Sequence, residues 1–271
     1  MHFGLSQLGH AAPAIGNEVE ETHALHRRLR PNKHGEQAVA LASALALTQG
    51  AELELVHVPD GVSARTRLVY AESIAEGLIE AARDVDAALI VVSAARHAPL
   101  NRFLVGSVAN ALLHAAHVPV ALVPSGYQRP PEIVRLTAAI GSREGARTLL
   151  DIVLAAATRR GLPLRLMSLV RLDREGQNGG AGAARAMLDE AVQSIGSQAQ
   201  VTSVVAEGPT MGDAVQNLPW DEGEIAIIGS SRLAEHRKIF MGSTANKILR
   251  VLPVPLIVVP RTLSTDAPGE L

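Results

Sequence analysis

Cysteine is absent from the 271 residues, which excludes disulfide frameworks, thiolate catalysis, Cys-ligated zinc and iron–sulfur clusters. Its absence is compatible with a reducing cytoplasm. Aromatic rings are scarce (one Trp, two Tyr, three Phe), so few platforms exist on which nucleic-acid bases could stack. Neither sign of charge dominates. The 25 Lys+Arg against 27 Asp+Glu, a net −2, argue against a broad basic face for nucleic acid. No apolar run approaches the roughly 20 residues that a membrane-spanning helix needs. Met1–Gln7 has neither the basic nor the apolar region of a secretory signal. These absences lead to the expectation of a cytoplasmic protein with no membrane span and no nucleic-acid partner. What remains is 47% apolar and 19% charged, the composition of a globular chain with two domains or one large one.

The chain contains itself twice. Residues 102–124, RFLVGSVANALLHAAHVPVALVP, align without a gap on residues 238–260, KIFMGSTANKILRVLPVPLIVVP. Gly106 and Ser107 meet Gly242 and Ser243, Asn110 meets Asn246, and Val123-Pro124 meets Val259-Pro260, each pair 136 positions apart. That period is too long for a solenoid and fits a duplicated domain. Glycine and consecutive prolines in Ser125–Pro131 mark the junction. The expected divisions are a first domain over 1–126, a second over 132–262 and a tail over 263–271.

In the second half, strands are expected at Ile133–Ala139, Leu164–Val170, Gln200–Ala206, Glu224–Ile228 and Val254–Val259. Helices are expected at Glu144–Arg160, Ala183–Ser197, Met211–Asn217 and Ser243–Leu252, with a Gly-rich loop over Gly176–Gly182. Such alternation implies parallel strands with right-handed crossovers. The first half is less regular. It offers helices at Glu36–Gln49, Glu72–Arg83 and Ser107–Ala116, and strands at Glu52–His57, Thr66–Tyr70, Leu89–Val92 and Val118–Val123. Its first strand is missing from before Glu36. One solution places it at His2–Leu8, followed by an inserted helix with Asn17 as N-cap, Glu18, Glu20 and Glu21 in the first turn, and Arg27, Arg28 and Arg30 before Pro31. The other leaves an unstructured N-terminal tail and an incomplete first sheet.

In an open α/β sheet, ligands bind beyond the carboxyl ends of the strands where strand order reverses. The loops that reach this place in the second half are Ala139-Ile140-Gly141-Ser142 and Gly229-Ser230-Ser231-Arg232, followed by Gly242-Ser243-Thr244. Ser243 opens a helix, so its hydroxyl is expected to cap while the free N–H groups beside it face a phosphate. Tandem α/β halves, a Gly-x2-Gly-x9-Gly-Ser/Thr spacing before the last helix, and a Val-Pro-Val/Leu-x-Val-Val-Pro closing strand resemble the universal stress protein family. The resemblance covers nearly all of residues 131–262 and most of 35–124. It implies an α/β fold of two tandem Rossmann-like, adenine nucleotide alpha hydrolase-like three-layer sandwiches. Each would hold a five-stranded parallel sheet ordered 3-2-1-4-5, the first copy irregular, with the closing strands of the two copies paired as in a dimer.

The departures from that pattern bear on function. In ATP-binding members, the resemblance implies, both glycines and the Gly-Ser/Thr wrap the phosphates, and an Asp ending the first strand holds the nucleotide. Here the second glycine is Arg232 in one copy and Arg96 in the other. The first is Gly229 but Ser93, and the Asp position is Ile140. Only Gly106-Ser107 and Gly242-Ser243 are intact in both copies. The candidate nucleotide-binding residues are therefore Gly141, Ser142, Gly229, Arg232, Gly242, Ser243 and Thr244, with Gly106 and Ser107 in the first half. Arg232 either reaches a phosphate as a charged fork or fills the pocket, exposed or paired to an acid such as Glu235.

Other polar residues have simpler readings. His23 and His26 with Glu20 suit a solvated helix better than a metal site, and no metal ligand set is named. His114 and His117 straddle a helix end, where a partly charged imidazole suits the dipole. Ser142 and Glu144 read as a helix cap, Phe103 and Phe240 as anchors for the loop before each Gly-Ser, and Trp220 as a cover over the sheet end. No catalytic residue is assigned. The expectation is a non-enzymatic cytosolic stress or regulatory adaptor whose binding of ATP or AMP is weak, lost or confined to the second domain. Its partners would be an intramolecular pseudo-dimer, a homodimer or an unidentified protein. An ATP-binding switch or slow ATPase, and a structural partner of a transporter or kinase, stand as alternatives.

Overall fold

The computed structural model describes residues 2–6, 33–49, 52–55, 65–66, 69–93, 106–128, 130, 132–141, 145–172, 180–230, 248–249 and 251–260. The first half contributes β1 (His2–Ser6), α1 (Lys33–Gln49), β2 (Glu52–Leu55), β3 (Arg65–Thr66), α2 (Ile74–Asp84), β4 (Leu89–Ser93), α3 (Ser107–Ala115) and β5 (Val120–Val123). The second contributes β6 (Arg135–Ala139), α4 (Ala146–Arg160), β7 (Leu164–Arg171), α5 (Ala181–Ile195), β8 (Val201–Gly208), α6 (Met211–Gln216), β9 (Glu224–Gly229) and β10 (Leu256–Val259). Residues 248–249 are helical. The inserted helix expected after Asn17 and the tail after residue 262 lie outside the described residues.

Local chemistry sets the helix limits. Ser73 caps α2, its hydroxyl accepting from the Glu76 N–H at 3.2 Å. Thr210 and Asp213 cap α6 reciprocally, the same Ser/Thr-x-x-acid device one copy later. Gly161, at φ 62°, ends α4 behind Arg159 and Arg160, whose charges suit the helix C-terminus. Two helices begin elsewhere than the sequence suggests. Helix α5 starts at Ala181 behind Gly180, so the Gly-rich loop stops short of Gly182. Helix α4 starts at Ala146, and its N-cap is Gly145 with no side-chain hydrogen bond.

All ten strands join one sheet, in the order β3-β2-β1-β4-β5-β10-β9-β6-β7-β8. The expected pairing of the two closing strands is present, and the expectation of an all-parallel first sheet is corrected at β1. The closing strands β5 and β10 pair antiparallel, Ala121 opposite Ile257, so the halves share one continuous sheet. Strand β1 does fill the central slot of the first half, but it runs antiparallel to both β2 and β4. His-Phe-Gly-Leu-Ser carries its apolar residues two apart, a pattern that reads the same in either direction. The wide separation of Ser6 from Lys33 also removes the handed crossover that would enforce a parallel strand. Strand β3 is only two residues long, and Tyr70, expected at its end, is exposed outside it.

Side chains of the buried strands alternate between two cores, one on each face of the sheet. Leu89, Val91, Ala121, Val123, Ile225, Ile227, Ile257 and Val259 join one, with residues of α1, α4 and α5. Ile90, Val92, Val120, Leu122, Ala226, Ile228, Leu256 and Val258 join the other, with residues of α2, α3 and the helical residues Ile248 and Leu249. Both cores run across the β5–β10 seam. Each fully buried Leu, Ile or Val contributes about 1.5–3 kcal/mol, and with six aromatic residues in the chain the core is built mainly from these and Ala.

Candidate functional site

Helices α4 and α5 pack on one face of the second half, whereas α6 and residues 248–249 pack on the other. The winding therefore reverses between β6 and β9, which are parallel neighbours with Ala139 opposite Ile228. A crevice beyond their carboxyl ends is where this class of sheet binds ligands. Gly141 borders it, and a Cβ built there would meet nothing within 4 Å among the described residues. Gly229 ends the neighbouring strand β9, and a Cβ built there would make ordinary contact with Leu149. The strand ends are held by the Ile140 N–H on Met167 O and the Ser230 N–H on Val259 O, both 2.8 Å. Between them the Ile140 side chain is buried at 5% exposure, an apolar group that can neither donate nor accept. Ser142, Arg232, Gly242, Ser243 and Thr244 lie outside the described residues, as do Glu144, Phe103 and Phe240.

In the first half, Gly106 and Ser107 are at the start of α3. The cap is Gly106, which makes no side-chain hydrogen bond, and Ser107 is already the first helical residue. In this copy the hydroxyl cap is therefore replaced by a bare glycine, and no side chain caps the helix start. The reversal of β1 matters more. His2 stands opposite Val92, so the amino end of β1 occupies the carboxyl end of β4. The corner that β6 and β9 form in the second half has no counterpart there.

A second polar cluster lies at the opposite, amino edge of the second half. Glu224 is buried at 1% exposure and accepts hydrogen bonds from Arg165 (2.6 Å), Arg135 (2.8 Å), the Thr137 hydroxyl and the Asp221 N–H (3.1 Å). Arg165 also donates to Pro219 O at 2.9 Å and lies 4.9 Å over the Trp220 ring. Trp220 donates its indole N–H to Val215 O at 2.9 Å, tying the sheet end to α6. The Glu224 hydrogen bond and charge hold the Arg135 guanidinium above its ordinary pKa, despite some desolvation. Burial pushes that of Arg165 down, with Glu224 opposing. This cluster balances its charges and closes the sheet end. Sequence reading missed it, although a signal was present: Arg165 between Leu164 and Leu166 in a buried strand demands a buried partner.

His117, just past the end of α3, also differs from expectation. His117 is held below its ordinary pKa, first by burial and then by Arg83, with Asp86 opposing. It is a neutral packing group, not a charge on the helix dipole. Among the described residues no group of three or more His, Asp or Glu is placed to hold a metal ion. Nor is any helix among them long and apolar enough to cross a membrane.

Comparison with known proteins agrees with this architecture. The sequence profile described as "Universal stress protein family" matches residues 61–124. Universal stress protein Rv2319c of Mycobacterium tuberculosis is 27% identical over 232 residues, covering 80% of this chain and 79% of that one. In sequence the chain is similar to universal stress proteins over these spans. A universal stress protein of Archaeoglobus fulgidus superposes with a TM-score of 0.53 at 18% identity, covering 73% of this chain and 72% of that one. A putative universal stress protein of Pseudomonas aeruginosa gives 0.50, also at 18% identity, covering 86% and 80%. Those two likenesses speak for the fold alone. The universal stress protein match spans β3, α2, β4, α3 and β5, and leaves out the reversed strand β1.

Proposed function

We propose that the chain is a non-enzymatic stress or regulatory adaptor of the cytosol, made of two copies of one domain held as an intramolecular pseudo-dimer. Binding of ATP or AMP is weak or lost, and any nucleotide is confined to the β6–β9 crevice. The observation that carries this reading is Ile140. The resemblance implies an acid there to hold the nucleotide, and the buried isoleucine has no polar atom to offer. Calorimetric titration with ATP and AMP tests it, together with mass spectrometry of nucleotide released from the purified protein. The expected result is no co-purifying nucleotide and a Kd no tighter than roughly 0.1 mM, about −5.5 kcal/mol. Stoichiometric, tightly held ATP would overturn it.

A second reading, an ATP-binding switch or slow ATPase using Arg232 as a phosphate ligand, draws support from the open space around Gly141. Arg232→Ala separates the two. It lowers affinity if the guanidinium grips phosphate, and is neutral or favourable if the side chain fills the crevice.

A further inference from the structure

The β5–β10 pairing uses up the closing edges of both halves, leaving the sheet to end at β3 on one side and β8 on the other. These ends are unequal. Strand β3 has two residues, whereas β8 has eight, an edge roughly 26 Å long. An open edge presents unpaired N–H and C=O groups, and proteins usually guard it with charge, proline or a bulge. From Val201 to Ala206 the sequence Val-Thr-Ser-Val-Val-Ala has none of these, and Thr202 and Ser203 are both exposed.

The ladder register shows which groups are free. Leu164 N–H donates to Gln200 O and Leu172 N–H to Gly208 O, at the two ends of the parallel β7–β8 ladder. In a parallel pair the bonding residues alternate. Gln200, Thr202, Val204, Ala206 and Gly208 thus face β7, while Val201, Ser203, Val205 and Glu207 face outward. The Asn217 side-chain amide donates to Glu207 O at 3.2 Å, a bond to an outward-facing carbonyl. Among the described residues, no hydrogen bond reaches those of Val201, Ser203 and Val205.

We propose that β8 is a self-association edge that pairs antiparallel with β8 of a second copy, about a two-fold axis at Ser203. The outward groups are self-complementary in that arrangement. Ser203 meets Ser203 of the second copy, and Val201 meets Val205 on either side. These three pairs would exchange about six hydrogen bonds. Thr202 falls opposite Val204 in the pairs between, so no like charges oppose and two β-branched side chains meet. The chain already joins two short strands antiparallel at β5–β10, and an isologous contact of this kind closes after two copies. The proposal is independent of nucleotide binding.

The absence of native cysteine makes the test direct. Hydrogen-bonded antiparallel partners have Cα atoms about 5.5 Å apart, inside the range a disulfide spans. Ser203→Cys is therefore expected to oxidise to a covalent dimer at least tenfold faster than Thr202→Cys, whose copies sit diagonally. Light scattering of the wild-type chain should give twice the monomer mass, and Ser203→Pro should give the monomer, since the lost N–H points away from β7. Ser203→Lys serves if the proline variant fails to fold. A wild-type monomer at about 0.1 mM, a dimer that survives both substitutions, or equal cross-linking of the two cysteine variants would each overturn the proposal.

Discussion

Replacing Glu224 with alanine leaves Arg165 buried without its counter-ion, because the Arg165 side chain is only 7% exposed and its 2.6 Å partner is gone. Removing one member of a buried ion pair costs about 3–5 kcal/mol. The Arg135–Asp221 contact adds little, since Asp221 is 57% exposed and such pairs contribute about 0–1 kcal/mol. For a chain of this size, the loss corresponds to a fall of roughly 6–20 °C in Tm. Trp220, the sole tryptophan, lies against Arg165, so its fluorescence during thermal or urea unfolding reports the cluster directly. A double variant, Arg165→Met with Glu224→Leu, removes both charges while filling the space. It should cost less than Glu224→Ala alone, because the penalty is an unpaired charge and not a missing contact. If the double variant loses the full sum of the two single losses, the electrostatic account of this cluster is wrong.

Three further outcomes follow from local geometry and titration. Gly223 has φ 87°, and a Cβ there would collide with the Glu132 carbonyl oxygen. Gly223→Ala should therefore cost more than about 1 kcal/mol, measured by urea unfolding, whereas Gly141→Ala, with open space around it, should leave stability within about 0.5 kcal/mol. Thr210→Ala removes the hydroxyl half of the α6 cap, leaving the Thr210 N–H bond to Asp213, and should lose about 1 kcal/mol in the same assay, with Thr210→Ser recovering most of it. His117 titrates below its ordinary value of 6.5 in the folded chain, so below pH 6.5 the unfolded chain takes up the proton first. Its contribution is complete above that pH and declines as pH falls towards the folded-state pKa. The Tm difference between wild type and His117→Gln should shift in favour of the variant on going from pH 7.5 to 5.5, and a pH-independent difference would refute this.

Much of the second half was legible because its strands are apolar runs punctuated by glycine, proline and caps. Glu224–Ile228 against the observed Glu224–Gly229 is one example, and Met211–Asn217 against Met211–Gln216 another. The position of β1 was also within reach, as one of two solutions, but its direction was not. Direction depends on how the chain returns, and a five-residue pattern that is symmetric about Gly4 carries no record of that. The Glu224 cluster escaped for a different reason: its members are 59 and 89 positions apart in the chain. Only the sheet register brings them together. At the crevice, the glycines were readable as an opening, and Ile140 as a departure, because both arguments rest on side-chain chemistry alone.

The β5–β10 seam carries a consequence for how such a chain can evolve. Val120–Val123 and Leu256–Val259 are buried on both faces and hydrogen-bonded to each other, so each half supplies the wall that closes the other. A first half without a binding corner is still indispensable, since deleting it would strip the second half of its neighbour and bare a wholly apolar strand. Selection can therefore let the loops of one copy drift, and even accept a reversed strand in its middle, while the seam residues stay constrained. Under the proposed reading of the halves as two copies of one domain, the seam stands where a subunit contact would, which frees one copy from binding ligand but not from folding.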